Sequence, residues 1–411
     1  MHVCVMGAGI VGLAAAYELQ RMGMKVTVVD QAAQVGQGAS GGNGAQLSYS
    51  YVQPLADAGI WRQLPKLLLS PDSPLKVKPQ WDPAQWRWAL AFMQACNDDT
   101  SRRSTAQLLA LAARSRAGFE RMRTAEALAC DFSATGKLVL YRTAQGLAAA
   151  QRQLELQRGW GSVQESVSAQ RCIELEPALD HDRHRIAGAI YTPSECAADC
   201  RKVCEGLHAV LVQRGVRFVL DAPVGGLAPR AGRLPAVQAG AETIEADHFV
   251  LALGSASAGV ARALGMRLPV YPLKGYSITV PAGTTADWAP RVSVTDTARK
   301  VVFARLGDRL RVAGMAELVG NDRSIPAGRI DSLRASVQDV FGHTPPSGAQ
   351  VQPWTGMRPA TPTGLPIVGR QTGGPGNVWV NAGHGALGFT LAFGTAAHIA
   401  EQIAQETAAA A

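Results

Sequence analysis

The amino-terminal segment constrains the fold more than any other stretch of the chain. Residues 2–30 read HVCVMGAGIVGLAAAYELQRMGMKVTVVD. His2–Met6 has the pattern of a short buried strand, Ile10–Met22 that of a helix, and Lys25–Val29 that of a second strand. Gly7, Gly9 and Gly12 form G-x-G-x-x-G at the strand-to-helix turn. Gly7 permits the tight turn, Gly9 lets the backbone approach a pyrophosphate, and Gly12 lets helix and strand pack closely. The helix start offers unpaired N–H groups and a positive dipole end to phosphate. Asp30 ends the second strand, 18 positions beyond Gly12, where an acidic side chain hydrogen-bonds a ribose diol. Together these features predict a dinucleotide site.

The fingerprint alone does not choose between FAD and NAD. An NAD dehydrogenase usually continues through a doubly wound sheet of alternating strands and helices. This chain instead enters residues 36–48, GQGASGGNGAQLS, a small-residue loop with five glycines. Ser40, Asn43 and Gln46 are short polar groups suited to wrapping a cofactor, and Leu47–Tyr51 after them has an ordered pattern.

Composition narrows the class further. The 411 residues are 47% hydrophobic and only 18% charged, which points to a large core in two or three lobes and excludes disorder. Lys+Arg 40 against Asp+Glu 32 gives a net charge of +8, but the positives are scattered, so nucleic acid is not an expected partner. The positive field suits anionic substrates or an acidic membrane surface. No apolar run reaches the ~18–20 residues of a membrane span, and no secretory signal precedes the first strand. The expected location is the cytoplasm, with peripheral attachment to the inner face of the cell membrane as an option.

Seven cysteines argue against a disulfide framework. Cys4, Cys96, Cys130 and Cys172 read as buried thiols. Cys196, Cys200 and Cys204 fall at i, i+4, i+8, a spacing that could share one helix face, but no histidine completes a metal cluster. Asp199 as an N-cap leaves Cys196 outside the helix. No metal is expected.

Residues 82–129 carry helical periodicity with Trp81, Trp86 and Trp88 nearby; 136–142 reads as a strand and 144–158 as a helix. Asp199–Arg214 is amphipathic and stops at Gly215. Val216–Leu220 and Ala246–Gly254 read as strands, and Tyr271–Val280, Val301–Arg305 and Leu310–Gly314 as an antiparallel wall for a substrate chamber. Residues 353–369, PWTGMRPATPTGLPIVG, specify their backbone tightly, and Arg358 within them suits bidentate capture of a carboxylate or, alternatively, a structural ion pair. Residues 377–388, NVWVNAGHGALG, run from a strand through a glycine turn into a small-residue helix over 389–402. The dipole of that helix is placed to stabilise negative charge. His384 is either a catalytic base or a turn residue.

The chain resembles the D-amino-acid dehydrogenases of the D-amino-acid oxidase and glycine oxidase superfamily. The resemblance runs end to end and rests on VMGAGIVGLAAAYEL, ASGGNGAQLSYSY, YPLKGYSITVP, WTGMRPATPTGLPIVG and NAGHGALGFTLAFG. It implies an α/β two-lobe flavoprotein: a Rossmann-type FAD lobe and a substrate lobe built on a mixed or antiparallel sheet. The FAD lobe is expected over 1–80, 185–260 and 350–411, the substrate lobe over 81–184 and 261–349. Gly7, Gly9, Ile10, Val11 and Gly12 then serve the pyrophosphate, and Asp30 with Gln31 the adenosine ribose. Ala39, Ser40, Asn43, Gln46 and Leu47 approach the pyrophosphate, ribityl chain and ring. Val224 contacts adenine through its backbone, Gly254 ends a strand at the cofactor, and Gly383, Gly385, Leu387, Gly388 and Thr390 line the flavin edge. Some relatives attach flavin through a cysteine near residues 354–357. None occurs here, which implies non-covalent FAD. Thr361-Pro-Thr-Gly364 replaces the usual Thr-Pro-Asp-Gly, and Asn43-Gly-Ala-Gln46 the usual Asn-Ala-Gly-Gln.

The implied chemistry is hydride transfer from Cα of a D-amino acid to flavin N5. The imine then hydrolyses to a 2-oxo acid and ammonia, and electrons pass to a quinone or another acceptor. Arg358 clamps the carboxylate, with hydrogen bonds from Tyr276 and Tyr51. The alternatives are a secondary amino acid (D-proline, a hydroxyproline isomer, glycine or sarcosine), an oxygen-using oxidase, a FAD-binding subunit without turnover, and an NAD enzyme.

Overall fold

The computed structural model describes residues 1–52, 54, 56, 75–159, 163–283, 287–345 and 350–410. The amino-terminal pattern folds as the glycine spacing predicts. β1 (His2–Met6), helix α1 (Ile10–Arg21) and β2 (Lys25–Val29) form a parallel βαβ unit, with His2 opposite Lys25 and Met6 opposite Val29. β9 (Arg217–Val219) and β13 (His248–Leu251) join in parallel on either side, and β20 (Val378–Ala382) pairs beyond β13, with β19 (Ile367–Gly369) antiparallel at the edge. The six strands run β19-β20-β13-β1-β2-β9. β1 is buried throughout but for His2, as a central parallel strand must be.

A larger mixed sheet carries the rest. Its path is β18 (Gln352–Ala360), β14 (Tyr271–Pro281), β17 (Arg309–Leu318), β16 (Val301–Leu306), β15 (Ser293–Asp296), β5 (Lys137–Tyr141), β7 (Gly188–Thr192), β6 (Glu165–Val167). β4 (Leu75–Val77) adds in parallel to the end of β17, and β15 pairs β5 in parallel; the other pairings are antiparallel. β10 (Val224–Gly225), β11 (Ala236–Ala239) and β12 (Glu242–Glu245) form a small meander, and β3 (Gln46–Leu47) pairs β8 (Cys196–Ala197).

Two cores result. Helices α2 (Pro83–Ala95) and α3 (Asp98–Glu126) follow β4, and α4 (Ala144–Arg158) and α5 (Ala169–Leu175) flank β6. α6 (Cys200–Gln213), α7 (Ser257–Ala263), α8 (Ala327–Phe341) and α9 (Gly388–Ala410) complete the set. Leu13 and Tyr17 of α1, Leu108 and Phe119 of α3 and Phe389 and Phe393 of α9 share one core, with Phe119 edge-on to both α9 rings. Tyr276, Ile278 and Val280 of β14 share the other with Leu333, Val337 and Phe341 of α8.

Packing divides the chain differently from the expected segments in four places. β4, β7 and β18 belong to the large sheet, although 1–80, 185–260 and 350–411 were assigned to the nucleotide lobe. α3 packs on α1 and α9, although 81–184 was assigned to the substrate lobe. Each reassignment is a non-local pairing that periodicity does not encode. The last helix also runs to Ala410 rather than ending at 402.

Candidate active site

The turn after β1 has the geometry its glycines require. Gly7 has φ +116°, and a Cβ there would lie 2.3 Å from the Ala252 carbonyl oxygen. A Cβ on Gly12 would lie 1.9 Å from the Gly7 oxygen, so α1 can approach its strand only with hydrogen at this position. Gly9 is the extended N-cap of α1. Its neighbour Ile10 departs from expectation, because its amide donates to Ser40 Oγ at 3.0 Å and is therefore already engaged. Ser40 thus caps α1 from the glycine-rich loop, with Ala39 half-buried before it. Asp30 accepts from the Ala8 and Ala32 amides at 2.6 and 2.8 Å. A carboxylate offers about four acceptor sites, so Asp30 keeps capacity for a ribose hydroxyl. Gln31 beyond it is exposed. Val224 pairs with Ala239 in the meander, and Gly254 stands at φ +58° after β13 with open space at its Cβ position.

The loop over 36–48 is tied to the large sheet. Arg311 on β17 donates from Nη1 to the Asn43 carbonyl and from Nε to Thr279 Oγ1, each at 2.8 Å. Ser277 on β14 donates to the Gly42 carbonyl at 2.7 Å. Gln46 donates to the carbonyls of Val294 and Phe303 and accepts from Thr295, so its amide is spent on β15 and β16. Asn43 Oδ1 accepts from the Ala45 amide. Leu47 is buried in β3, and the following Ser48 amide donates to Thr390 Oγ1 at 3.2 Å, joining the loop to α9.

Arg358 lies on the β18 face that meets this loop. Among the described residues it forms no ion pair: Nη1 donates to the Met315 carbonyl at 2.7 Å. One edge of the side chain stays open, yet the surrounding protein withholds water and pushes its pKa down to about 10. A desolvated guanidinium with no carboxylate partner among the described residues has the chemistry to bind an anion. The structural ion pair weighed from sequence is absent among the described residues.

The other catalytic candidates have different surroundings. Tyr276 alternates with Gly275 and Ser277 along β14, so it points to the opposite face. There it is buried under α8 and donates to Glu317 Oε2 at 2.7 Å, while Arg329 holds the other carboxylate oxygen at 2.5 Å. It is a core tyrosine, and the expected substrate contact fails on strand parity. Tyr51 packs at the β5–β7 end of the sheet, with Lys137 Nζ 4.5 Å from its ring centroid. The His384 ring meets Thr395 Oγ1 at 3.0 Å, and burial pushes its pKa down to about 3, too low for a catalytic base. It supports a glycine turn in which Gly383 and Gly385 have φ +79° and +54°. Leu387 and Gly388 carry that turn into α9, and the His384 backbone bridges Ala360 at the end of β18.

Cys196 lies in β8 outside α6, which Asp199 caps by accepting from the Arg201 and Lys202 amides. The i, i+4, i+8 spacing therefore does not place three thiols on one helix face. All seven cysteines are buried and free.

Sequence reasoning missed Trp354, Arg311 and Lys137. Trp354 shares a face with Arg358 by the two-residue strand period, and its ring lies where a Cβ on Gly42 would come, 2.4 Å away. Arg311 was legible as a charge inside the otherwise apolar run Leu310–Gly314. Lys137, fully buried, donates to Ser48 Oγ at 2.7 Å, and burial lowers its pKa to about 8. Buried Glu195, its carboxyl pushed up by the same burial, receives the Tyr49 and Ser50 amides.

A glycine-lined helix start, an acid at the end of β2 and a second helix start beyond a glycine turn fit an extended adenine dinucleotide. A family profile described as FAD dependent oxidoreductase matches residues 2–402, and the chain belongs to that family. It is an enzyme, and its cofactor is FAD. The chain is 45% identical over 417 residues to D-amino acid dehydrogenase 2 of Ralstonia nicotianae, covering 100% of itself and 98% of that relative. It is 44% identical over 409 residues to D-amino acid dehydrogenase 2 of Pseudomonas aeruginosa, covering 98% and 94%. Glycine oxidase from Bacillus cereus superposes with a TM-score of 0.73 at 16% identity, covering 98% of this chain and 95% of that one. L-proline dehydrogenase from P. horikoshii gives 0.74 at 16%, covering 98% and 93%. These structures share the fold.

Proposed function

We propose that the chain oxidises a D-amino acid to the imine, which water converts to a 2-oxo acid and ammonia, and that Arg358 anchors the substrate carboxylate. The observation that carries this reading is the desolvated guanidinium without a carboxylate partner among the described residues, set on the sheet face that meets the cofactor loop. FAD, when bound, takes up the two electrons released at Cα. Gly7, Gly9, Val11, Gly12, Asp30 and the turn over 383–388 are the residues that would hold it, with Ser40 fixing the loop to α1. Arg358 orients Cα by fixing the carboxylate, and orientation supplies much of the rate. The dry surroundings of the sheet face favour the neutral amine. Within this reading the six-stranded sheet carries the cofactor and the large sheet the substrate.

Anaerobic mixing with a panel of D-, L- and N-alkyl amino acids tests the proposal through bleaching of the flavin's visible absorbance. Bleaching by primary D-amino acids is the expected result; bleaching only by N-alkyl substrates, or by none, overturns it.

We further propose that electrons leave to a quinone, from a protein docked on an anionic lipid surface. Trp86, Leu90 and Met93 recur at i, i+4, i+7 on α2 and are 57%, 55% and 43% exposed, with Trp81 fully exposed just before them. The adjoining cleft is lined by Arg87, Arg262 and Arg267, and none of the three forms an ion pair among the described residues. Aromatic anchors beside cations suit a membrane interface. No helix among the described residues is long and apolar enough to cross a membrane. Co-sedimentation with anionic vesicles is expected to fall at least about fivefold on Trp86→Ala/Leu90→Ala substitution. Unchanged sedimentation of the variant, or equal binding to neutral vesicles, refutes the docking face.

A further inference from the structure

Gly275 of β14 stands directly opposite Gly356 of β18, while Leu273 faces Arg358 and Ser277 faces Trp354. By strand alternation all six project to one side. A Cβ on Gly275 would come within 2.4 Å of Arg358 Nη2, 2.5 Å of Cζ and 2.8 Å of Nη1. A Cβ on Gly356 would come within 2.1 Å of the Trp354 ring. The glycine pair is therefore a bare patch of sheet on which a guanidinium and an indole lie flat.

Arg358 crosses this patch to the next strand, a reach of about two strand spacings of ~4.8 Å from its own backbone. Its anchor there is unusual. β17 bulges opposite Gly275: Lys274 pairs with Glu317 but Tyr276 with Gly314, so Met315 and Ala316 together oppose one glycine. Met315 takes φ +64°, a left-handed conformation that a side chain other than glycine rarely adopts. Its carbonyl accepts from Nη1.

We infer that Gly275 is the positioning residue for Arg358, acting with the Met315 bulge to hold the guanidinium across β14 where it meets the substrate carboxylate. The inference rests on the reading of Arg358 as that anchor. The three atoms nearest a methyl group at 275 all belong to the Arg358 guanidinium, which it would displace. The consequence therefore falls on carboxylate recognition rather than on the sheet.

The test uses the FAD-loaded enzyme with Gly275→Ala, Arg358→Ala and the double variant. Its readouts are kcat, KM, flavin content, thermal midpoint and the Kd of benzoate, a non-oxidisable carboxylate, followed by flavin absorbance. Gly275→Ala is expected to raise KM and the benzoate Kd by about tenfold or more, with flavin content unchanged. In the Arg358→Ala background the same substitution is expected to change neither, because its partner is gone. KM and Kd within about twofold of the parent, while Arg358→Ala loses both, overturn the role of Gly275 and leave the anchor standing. Unchanged values for Arg358→Ala overturn the anchor itself. If Gly275→Ala alone fails to fold, the double variant, free of the clash, is expected to recover flavin and midpoint; failure of both refutes the inference.

Discussion

Replacing Arg358 with alanine is expected to lower kcat/KM for the best D-amino acid on the order of 10²–10³-fold, corresponding to about 3–4 kcal/mol of lost carboxylate binding. Steady-state kinetics and the anaerobic rate of flavin reduction both report it, and an unchanged reduction rate would remove Arg358 from the reaction. Stability should move the other way. In the free protein the guanidinium is desolvated and, among the described residues, held by the Met315 carbonyl, with its pKa pushed down to about 10 by burial. The folded value lies below the usual one, so the penalty on the charged form is fully present below pH 10 and eases as pH rises through that value. Arg358→Ala should therefore keep or raise the thermal midpoint at neutral pH while losing activity. A catalytic site built on an unpaired charge sets stability against function.

The second large effect is predicted at Gly12. Valine there forces its Cβ toward the Gly7 oxygen, which stands 1.9 Å from the position a Cβ would take. That oxygen is backbone and cannot swing aside. α1 must move off its strand, at a cost of about 3 kcal/mol. The turn opens, and the purified protein is expected to carry at least about tenfold less flavin per chain, measured by absorbance against protein concentration. Gly38→Ala is the control: it lies in the neighbouring glycine-rich loop with nothing near its Cβ position, and flavin content should not change. Equal flavin loss in both variants would mean that close packing at Gly12 is not what builds the site.

The contrast between those two glycines shows what was legible before the structure. The βαβ unit could be read because strand, turn, helix and acid follow one another locally. The Asp199 cap could be read for the same reason. Residues 352–360 were harder. Their Pro and Gly content pointed to a tightly specified backbone but named no element; they form a strand because β18 lies at the sheet edge, where proline is tolerated. Tyr276 was misjudged because sequence reveals alternation but not which face another helix will cover. The bulge at Met315 decides where Arg358 points, and it depends on register between strands about forty residues apart. The engaged Ile10 amide is similar: Ser40, thirty residues later, supplies the partner.

The ties of the glycine-rich loop have a mechanical consequence. Residues 36–48 are pinned to α1 through Ser40 and to four strands of the large sheet through the Gly42 and Asn43 carbonyls and the Gln46 amide. The loop cannot loosen at one end without slackening at the other. Filling the nucleotide turn is therefore expected to steady the strands on which Arg358 rests. Apoprotein and holoprotein should differ in amide exchange not only around Gly7 but along β14 and β17. Unchanged exchange along both strands on loading with flavin would show that the nucleotide turn and the large sheet move independently.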